Sequence, residues 1–339
     1  MNKQNKTHVV IALPFRPGFP FDPHWYTPEY VPYIANLLPK EEYETSGYFI
    51  SFSNIEEFIR DMEKIYAENR NIKILNFCDG GEWDGYLGIS LLIEWEKHPI
   101  SKKIPLSGGD AAFIFNSDDK MKMNEWMRQA KLNALIQAVL PKETSHSIDL
   151  KTFLAEAGLE DAWPLYCKLN IGAAAVGISH SSVCHNFCEL EKQVKKMQTA
   201  FPLSDLLIQP YLAGKEYTIL IINDHIYMAV ERKFQNPENI MLDDYLTGIR
   251  PIEEEIQYGP VPDQIGTLAL KAVQAIPGRH HYTRLDLRDD SCGNTYVIDI
   301  NDRPGFGEPS TLKTMLDYYQ LSEQTLLLEI VQTTKACVN

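Results

Sequence analysis

The first third of the chain alternates short apolar, β-branched runs with amphipathic stretches. His8–Leu13 (HVVIAL) ends at Pro14 and predicts a buried strand of a parallel sheet. The segment that follows, PFRPGFPFDPHWYTPEY, is crowded with Pro, Gly and aromatic residues and predicts an irregular loop. From Ile55 to Asn69 the apolar residues Ile55, Phe58, Ile59, Met62, Ile65 and Tyr66 recur at helical spacing on one face. Ile72–Phe77 (IKILNF) predicts a second buried strand, closing at Cys78-Asp79-Gly80-Gly81, and Leu87–Glu96 predicts another helix. This strand–helix–strand–helix order predicts an α/β domain up to about Asn116.

A second unit opens at SDDKMKMNEWMRQAKLNALIQAV, where Ser117 or Asp118 caps a run of strong helix formers. Leu165–Leu169 (LYCKL) predicts a strand that runs into the small-residue stretch NIGAAAVGIS, and Glu189–Thr199 predicts a charged helix. Leu206–Tyr211 predicts a strand. Glu216–Ile222 and Ile226–Glu231 predict a hairpin turning at Asn223-Asp224. Phe234–Gly259 has little periodicity, and a loop of that length is more often functional than accidental. After a helix over Asp263–Ile276, two strands follow, Tyr282–Leu287 and Tyr296–Asn301, joined by a turn at Asp289–Asn294.

Composition narrows the classes. At 339 residues, 44% hydrophobic and 23% charged, the chain can bury a large core and split into two or three domains. With 32 basic against 46 acidic residues the net charge is −14, which argues against a nucleic-acid partner held by a general basic surface. A small polyanion bound by a few local cations is still compatible. No apolar run approaches the roughly 20 residues that span a bilayer, and the start of the chain has no apolar signal core. Six cysteines in a chain this long do not form a disulfide framework, so a cytoplasmic protein is expected, and Cys184-His185-x-x-Cys188 lacks the second pair a zinc site needs.

The sharpest chemistry lies in the last two strands. Side chains two apart in a strand point the same way, so Arg284 and Asp286 share one face, as do Asp299 and Asn301. If these strands pair, two carboxylates and an amide oxygen converge beside a guanidinium, a donor set suited to Mg²⁺; a solvated hairpin face is the alternative. Upstream, Lys168 ends a strand and precedes Gly172, Ala173, Ala174, Ala175 and Gly177. Such a small-residue loop either folds over phosphates or is a plain packed turn.

Taken in order, the motifs KLNIGAAAVGIS, LIQPYLAGKEYTILI and TRLDLRDDSCGNTYVIDINDRPGF resemble the ATP-grasp superfamily, and within it the D-alanine–D-alanine ligases. The resemblance runs from about Asn76 to Leu312. It implies an α/β protein with an ATP-grasp fold: an N-terminal parallel-sheet domain over residues 1–116, a central α+β subdomain over 117–208 and a C-terminal one over 209–339. It implies ATP between the two subdomains, with Lys120 and Lys168 on its phosphates and the loop containing Ala174 and Ala175 covering them. Lys122 competes with Lys120 for that role. Gln209 would face the adenine amino group, Tyr211 and Leu212 would supply the hinge and adenine wall, and Glu216 would bind the ribose. Asp286, Asp299 and Asn301 would hold Mg²⁺, two ions in all with Mn²⁺ as a substitute. Arg284, with Lys168, would be catalytic, and Lys233 and Arg232 would reach toward the γ-phosphate.

The implied reaction is amide formation from a carboxylate and an amine through an acyl phosphate. Small-molecule substrates are expected, amino acids above all, and a homodimer is compatible with the family. Glu82, in the GGEWDG stretch, and Arg303, Gly305 and Ser310 are expected near the substrates. Ala174-Ala175 stands where the family has Ser-Ser, PFRPGFPFDPHW replaces an N-terminal loop with a glutamate, and Arg303 replaces a small or apolar residue. These departures near the substrate lead to the expectation that the chain does not make D-alanyl-D-alanine. A phosphotransferase on the same scaffold, and a nucleotide-binding protein without turnover, are the alternatives. Trp25, Tyr26, Tyr30 and Tyr33 either line a larger substrate pocket or pack against the first domain.

Overall fold

The computed structural model describes residues 6–15, 27–79, 86–142, 148–172, 175–234, 240, 257–307 and 310–337. Strand β1 (Thr7–Pro14) is the middle of a parallel sheet of order β2-β1-β3, with β2 at Tyr43–Ile50 and β3 at Ile72–Asn76. Helix α1 (Tyr30–Asn36) leads into β2, and α2 (Ile55–Glu68) joins β2 to β3. The sequence pattern misses both α1 and β2. The first lies at the end of the Pro-rich stretch, and the second, YETSGYFI, is a half-exposed edge strand without a clean apolar period. Helices α3 (Leu87–Lys97), α4 (Ala111–Ser117) and α5 (Lys120–Gln129) follow. Asp119, rather than Ser117 or Asp118, caps α5, accepting from the amides of Met121 and Lys122.

Strand β4 (Ala138–Leu140), helix α6 (Leu150–Glu156), strands β5 (Leu165–Leu169) and β6 (Val183–Cys184), helix α7 (Phe187–Ala200) and strand β7 (Leu206–Pro210) build a four-stranded sheet of order β4-β7-β5-β6. Its paired strands are antiparallel. Then β8 (Glu216–Ile222), β9 (His225–Lys233), β10 (Gln257–Gly259), α8 (Asp263–Ala275), β11 (Tyr282–Asp289) and β12 (Thr295–Asp302) build a five-stranded antiparallel sheet of order β10-β9-β8-β11-β12. Helices α9 (Thr311–Tyr319) and α10 (Glu323–Thr333) close the chain. The hairpins of the late sequence are where the period-two pattern puts them.

Two large apolar clusters join the first and third sheets. One collects Val10 and Ala12 of β1 with Ile219, Ile221, Leu285, Leu287 and Ile300, together with Ala269 and Val273 of α8. The other collects Val9, Ile11 and Leu13 from the opposite face of β1 with Leu220, Ile222, Met228, Tyr282, Met315 and Ile330. The four-stranded sheet has a separate cluster, built on Leu165, Cys167, Leu190, Met197, Leu206 and Ile208. Its other face carries Tyr166, Lys168, Leu207 and Gln209, because strand alternation turns every second residue away from that core.

Candidate active site

The five-stranded sheet shows one face as three rows of side chains, set by its register. Arg232, Glu216 and Arg288 stand side by side across β9, β8 and β11. Thr218, Asp286 and Asp299 form the next row, and Leu220, Arg284 and Asn301 the third. The β11–β12 pairing therefore sets Asp286 opposite Asp299 and Arg284 opposite Asn301, and a bulge after Asp286 shifts the register beyond it. The alternate residues, Ile219, Leu285, Leu287 and Ile300, enter the core on the other face. Period-two alternation thus yields a dry face and a charged one from the same strands.

The charged face is wired tightly. Arg284 Nη2 donates to Asp286 Oδ2 at 2.9 Å, and Thr218 Oγ1 donates to Asp286 Oδ1 at 2.8 Å. Lys120, the first residue of α5, lies 3.1 Å from Asp299 Oδ1 and donates to the Gly172 carbonyl at 2.9 Å. Lys122, by contrast, turns out to Asp119 and the ring of Phe115, so the geometry brings Lys120 and not Lys122 to the cluster. Lys168 Nζ reaches across from the four-stranded sheet to the Ile298 carbonyl at 3.2 Å. Five cations (Lys120, Lys168, Arg232, Arg284 and Arg288) meet four carboxylates here (Asp118, Glu216, Asp286 and Asp299), a local cationic excess in a chain of net charge −14. Such a cleft suits an anion.

Charge and burial set the protonation states. Burial pushes the Lys168 ammonium down from 10.5 to about 7 and neighbouring Lys120 adds to this, while Asp299, Glu216 and Asp286 oppose it. Burial works against ionised Asp299, but Lys120, Lys168 and Arg284 outweigh it and hold its carboxyl below the ordinary range. Asp118 is pushed up to about 7 by burial, against the pull of Arg303 and Lys120. Burial also raises the Glu216 carboxyl, while Arg232 and Arg288 oppose the rise.

The donor set passes a simple test for a hard divalent cation. Asp299 is kept ionised, and among the described residues no hydrogen bond occupies the half-buried Asn301 amide. No group of three or more His, Cys, Asp or Glu gathers among the described residues. Two carboxylates and an amide are too few for a closed protein cage. They match an ion that shares its ligands with phosphate oxygens and water, as Mg²⁺ does. Arg284 Nε is buried without a hydrogen-bond partner, while its Nη2 is bonded to Asp286.

The remaining expected residues divide. Gln209 is buried beside Tyr166 on the cleft face of the four-stranded sheet. Tyr211 and Leu212 lie just beyond it, tied to Arg288 through the Tyr211 hydroxyl at 3.3 Å and the Leu212 carbonyl at 2.5 Å. Ala175 adopts φ +57°, and Gly177 φ +80°, where an added Cβ would meet Met197 Cε at 2.6 Å. Glu82 and Ala174 lie outside the described residues, as does most of Phe234–Gly259.

Lys233 is not brought to the cleft. It follows Arg232 along β9, so its side chain emerges on the opposite face, beside Glu231 at 3.8 Å, and Arg232 takes the inward position instead. Arg303 does not face the cluster either. It is buried at φ +58°, with Nη1 donating to the Cys78 carbonyl at 3.0 Å and Nε 2.9 Å from Asp302 Oδ2. Gly305 lies in the loop that follows, and the Ser310 hydroxyl caps α9 by accepting from the Lys313 amide at 3.1 Å. Arg232 was expected there along with Lys233; the sequence reading overlooked Thr218, Arg288 and Asp118. Two of these were visible as continuations of the same alternation, Glu216-x-Thr218 and Arg284-x-Asp286-x-Arg288.

A parallel α/β sheet followed by two antiparallel sheets that close on a cation-lined cleft defines an ATP-grasp protein. Residues 127–332, more than half the chain, match the family model described as D-ala D-ala ligase C-terminus. The chain belongs to this D-alanine–D-alanine ligase family and is an ATP-dependent, ADP-forming ligase. A D-alanine–D-alanine ligase of Acinetobacter baumannii is 23% identical over 263 residues, covering 75% of this chain and 76% of that protein. The fold resembles D-alanine–D-alanine ligase of Bacillus anthracis in complex with ATP, at a TM-score of 0.67 and 17% identity over 96% of this chain and 97% of the other. It also resembles the D-Ala:D-Ser ligase VanG of Enterococcus faecalis, at a TM-score of 0.63 and 14% identity over 97% and 99% of the two chains.

Proposed function

We propose that this ligase joins a carboxylate to an amine as an amide, through an acyl phosphate and with release of ADP. The substrates are amino acids, or an amino acid and a small carboxylate, and not two molecules of D-alanine. The carrying observation is the row geometry that gathers Arg284, Asp286, Asp299 and Asn301 with Lys120 and Lys168 at one end of the cleft. In this reading the N-terminal, central and C-terminal units take residues 1–116, 117–208 and 209–339, and the nucleotide lies between the last two.

Lys120 and Lys168 hold the phosphates, beneath the turn at Ala175–Gly177. Gln209, Tyr211 and Leu212 line the base, with Glu216 on the sugar side. Asp286, Asp299 and Asn301 would hold two Mg²⁺ ions, or Mn²⁺, which neutralise phosphate charge when bound. Arg284, whose Nε is buried without a partner, stabilises the charge that develops as the γ-phosphoryl group moves to the substrate carboxylate. The amine then attacks the acyl carbon, phosphate leaves, and the same guanidinium stabilises the tetrahedral oxyanion. The chain's share is to orient reactants and stabilise charge.

The departure from D-alanine rests on Ala175, which with Ala174 replaces the hydroxyl-bearing pair of the resemblance, and on PFRPGFPFDPHW, which replaces its glutamate-bearing N-terminal loop. The test is a mass-spectrometric screen of amino-acid and carboxylate pairs with ATP, read alongside ADP release. Amide products that require both partners support the reading. A stable phosphorylated product, or no amine-dependent ADP in the whole panel, overturns it. D-alanyl-D-alanine as the main product overturns the substrate assignment alone.

A further inference from the structure

The row formed by Arg232, Glu216 and Arg288 has no counterpart in the phosphate chemistry, yet it is the most completely buried charge group of the cleft. Arg232 Nη1 donates to Glu216 Oε1 at 3.1 Å, and Arg288 Nη1 donates to Glu216 Oε2 at 3.0 Å. Each carboxylate oxygen thus carries its own guanidinium. The side chains of Arg232, Glu216 and Arg288 keep 2%, 7% and 5% of their surfaces. Arg288 is fixed from behind as well, by its Nε bond to the Leu212 carbonyl and by the Tyr211 ring 5.4 Å from its guanidinium carbon. A glutamate enclosed in this way has little surface left for a third donor. A neutral hydroxyl is the weaker competitor, because hydrogen bonds between two ionised groups are roughly twice as strong as neutral ones.

We infer that Arg288 is a specificity-determining residue: with Arg232 it withdraws Glu216 from the sugar and leaves the nucleotide site indifferent to the ribose 2′-hydroxyl. This rests on the proposed placement of the nucleotide between the central and C-terminal units. It identifies the accepted cosubstrates as both ribo- and deoxyribonucleoside triphosphates. The second half of the inference is that releasing one oxygen of Glu216 restores discrimination.

The test needs no knowledge of the amide-forming substrates. Calorimetric titration of the full chain with ADP and with 2′-deoxyADP, in the presence of Mg²⁺, is expected to give Kd values within about threefold, below the roughly tenfold loss that follows removal of one hydrogen bond. In Arg288→Met the ratio is expected to open to roughly tenfold in favour of ADP, whatever happens to absolute affinity. A wild-type preference of tenfold or more for ADP overturns the inference, as does an unchanged ratio in the variant. If neither nucleotide binds the wild-type chain, the nucleotide-cleft reading itself is wrong and this inference falls with it. The wild-type comparison stands even if Arg288→Met fails to fold.

Discussion

Lys120 and Asp299 are the two residues on which the cleft's electrostatics turn most directly. Asp299→Ala removes the ionised partner of a lysine whose side chain is only 7% exposed, while the Gly172 carbonyl remains to it. Breaking a buried pair typically costs 3–5 kcal/mol; Asp299 keeps 27% of its side-chain surface, so about 2 kcal/mol is expected in urea denaturation. ADP formation is expected to fall roughly 100-fold or more, since a charge-stabilising group is lost at the reacting end. A variant with wild-type turnover would show that the carboxylate has no part in the chemistry.

Lys168 makes a pH signature available. Its folded pKa of about 7 lies below the ordinary 10.5, so between those values the unfolded chain binds more protons, and the stability this residue contributes rises with pH. Nucleotide binding has the opposite sense. A polyphosphate favours the charged ammonium, so ADP binding near pH 8 is expected to take up a proton, and affinity is expected to fall as pH climbs above 7. Titration calorimetry in buffers of different ionisation enthalpy measures that uptake directly. Lys168→Met should abolish it, and an uptake unchanged in Lys168→Met would assign the proton elsewhere.

At the level of elements, the charged hairpin could be read from the chain because its evidence is local. Arg284-x-Asp286 and Asp299-x-Asn301 carry a two-residue period, and the Asp289–Asn294 turn joins them. What could not be read depends on pairing between distant strands. Arg232 and Arg288 meet at Glu216 only because β8 lies between β9 and β11. Arg232 and Lys233 are neighbours in sequence, and a pleated strand sends them to opposite faces, so the local sequence does not say which one turns to the cleft. Helix α1 was hidden for a different reason: its contacts are with the end of the chain. The Tyr30 hydroxyl accepts from the Phe306 amide at 3.1 Å, and Tyr33 donates to Glu323 at 2.5 Å, whose other oxygen accepts from the Gly307 amide at 2.8 Å. The loop beyond the hairpin is thereby pinned to α1. Tyr30→Phe leaves a buried amide without its partner and is expected to cost about 1–2 kcal/mol. Hydrogen exchange at Phe306 should accelerate in that variant while exchange in α7 does not change.

Over the whole molecule, the apolar clusters predict how it comes apart. The first and third sheets share two of them, whereas the four-stranded sheet closes its own around Leu165, Met197 and Ile208. Polar contacts tie that sheet and its neighbouring loop to the charged hairpin: Lys168 to the Ile298 carbonyl, and Lys120, itself bonded to Gly172, to Asp299. Units joined in this way move and melt more independently than units with a common core. Hydrogen exchange is therefore expected to show residues 138–210 opening at lower free energy than β1, β8 and β11, with ADP narrowing the gap. A single cooperative opening of all three sheets, with or without nucleotide, would refute this.

The junction between the first and third sheets carries one further consequence, which concerns inheritance. At Gly108 an added Cβ would come within 2.4 Å of Arg303 Cδ, and both residues hold positive φ. A methyl group at 108 would meet both Arg303 and Asp302 Oδ2 and would also sit on a backbone held at φ +91°, so shortening the side chain at 303 does not by itself make room, and it leaves Asp302 without its guanidinium neighbour. No ordering of changes at the two sites relieves the backbone at 108, so glycine there is expected to persist whatever occupies position 303.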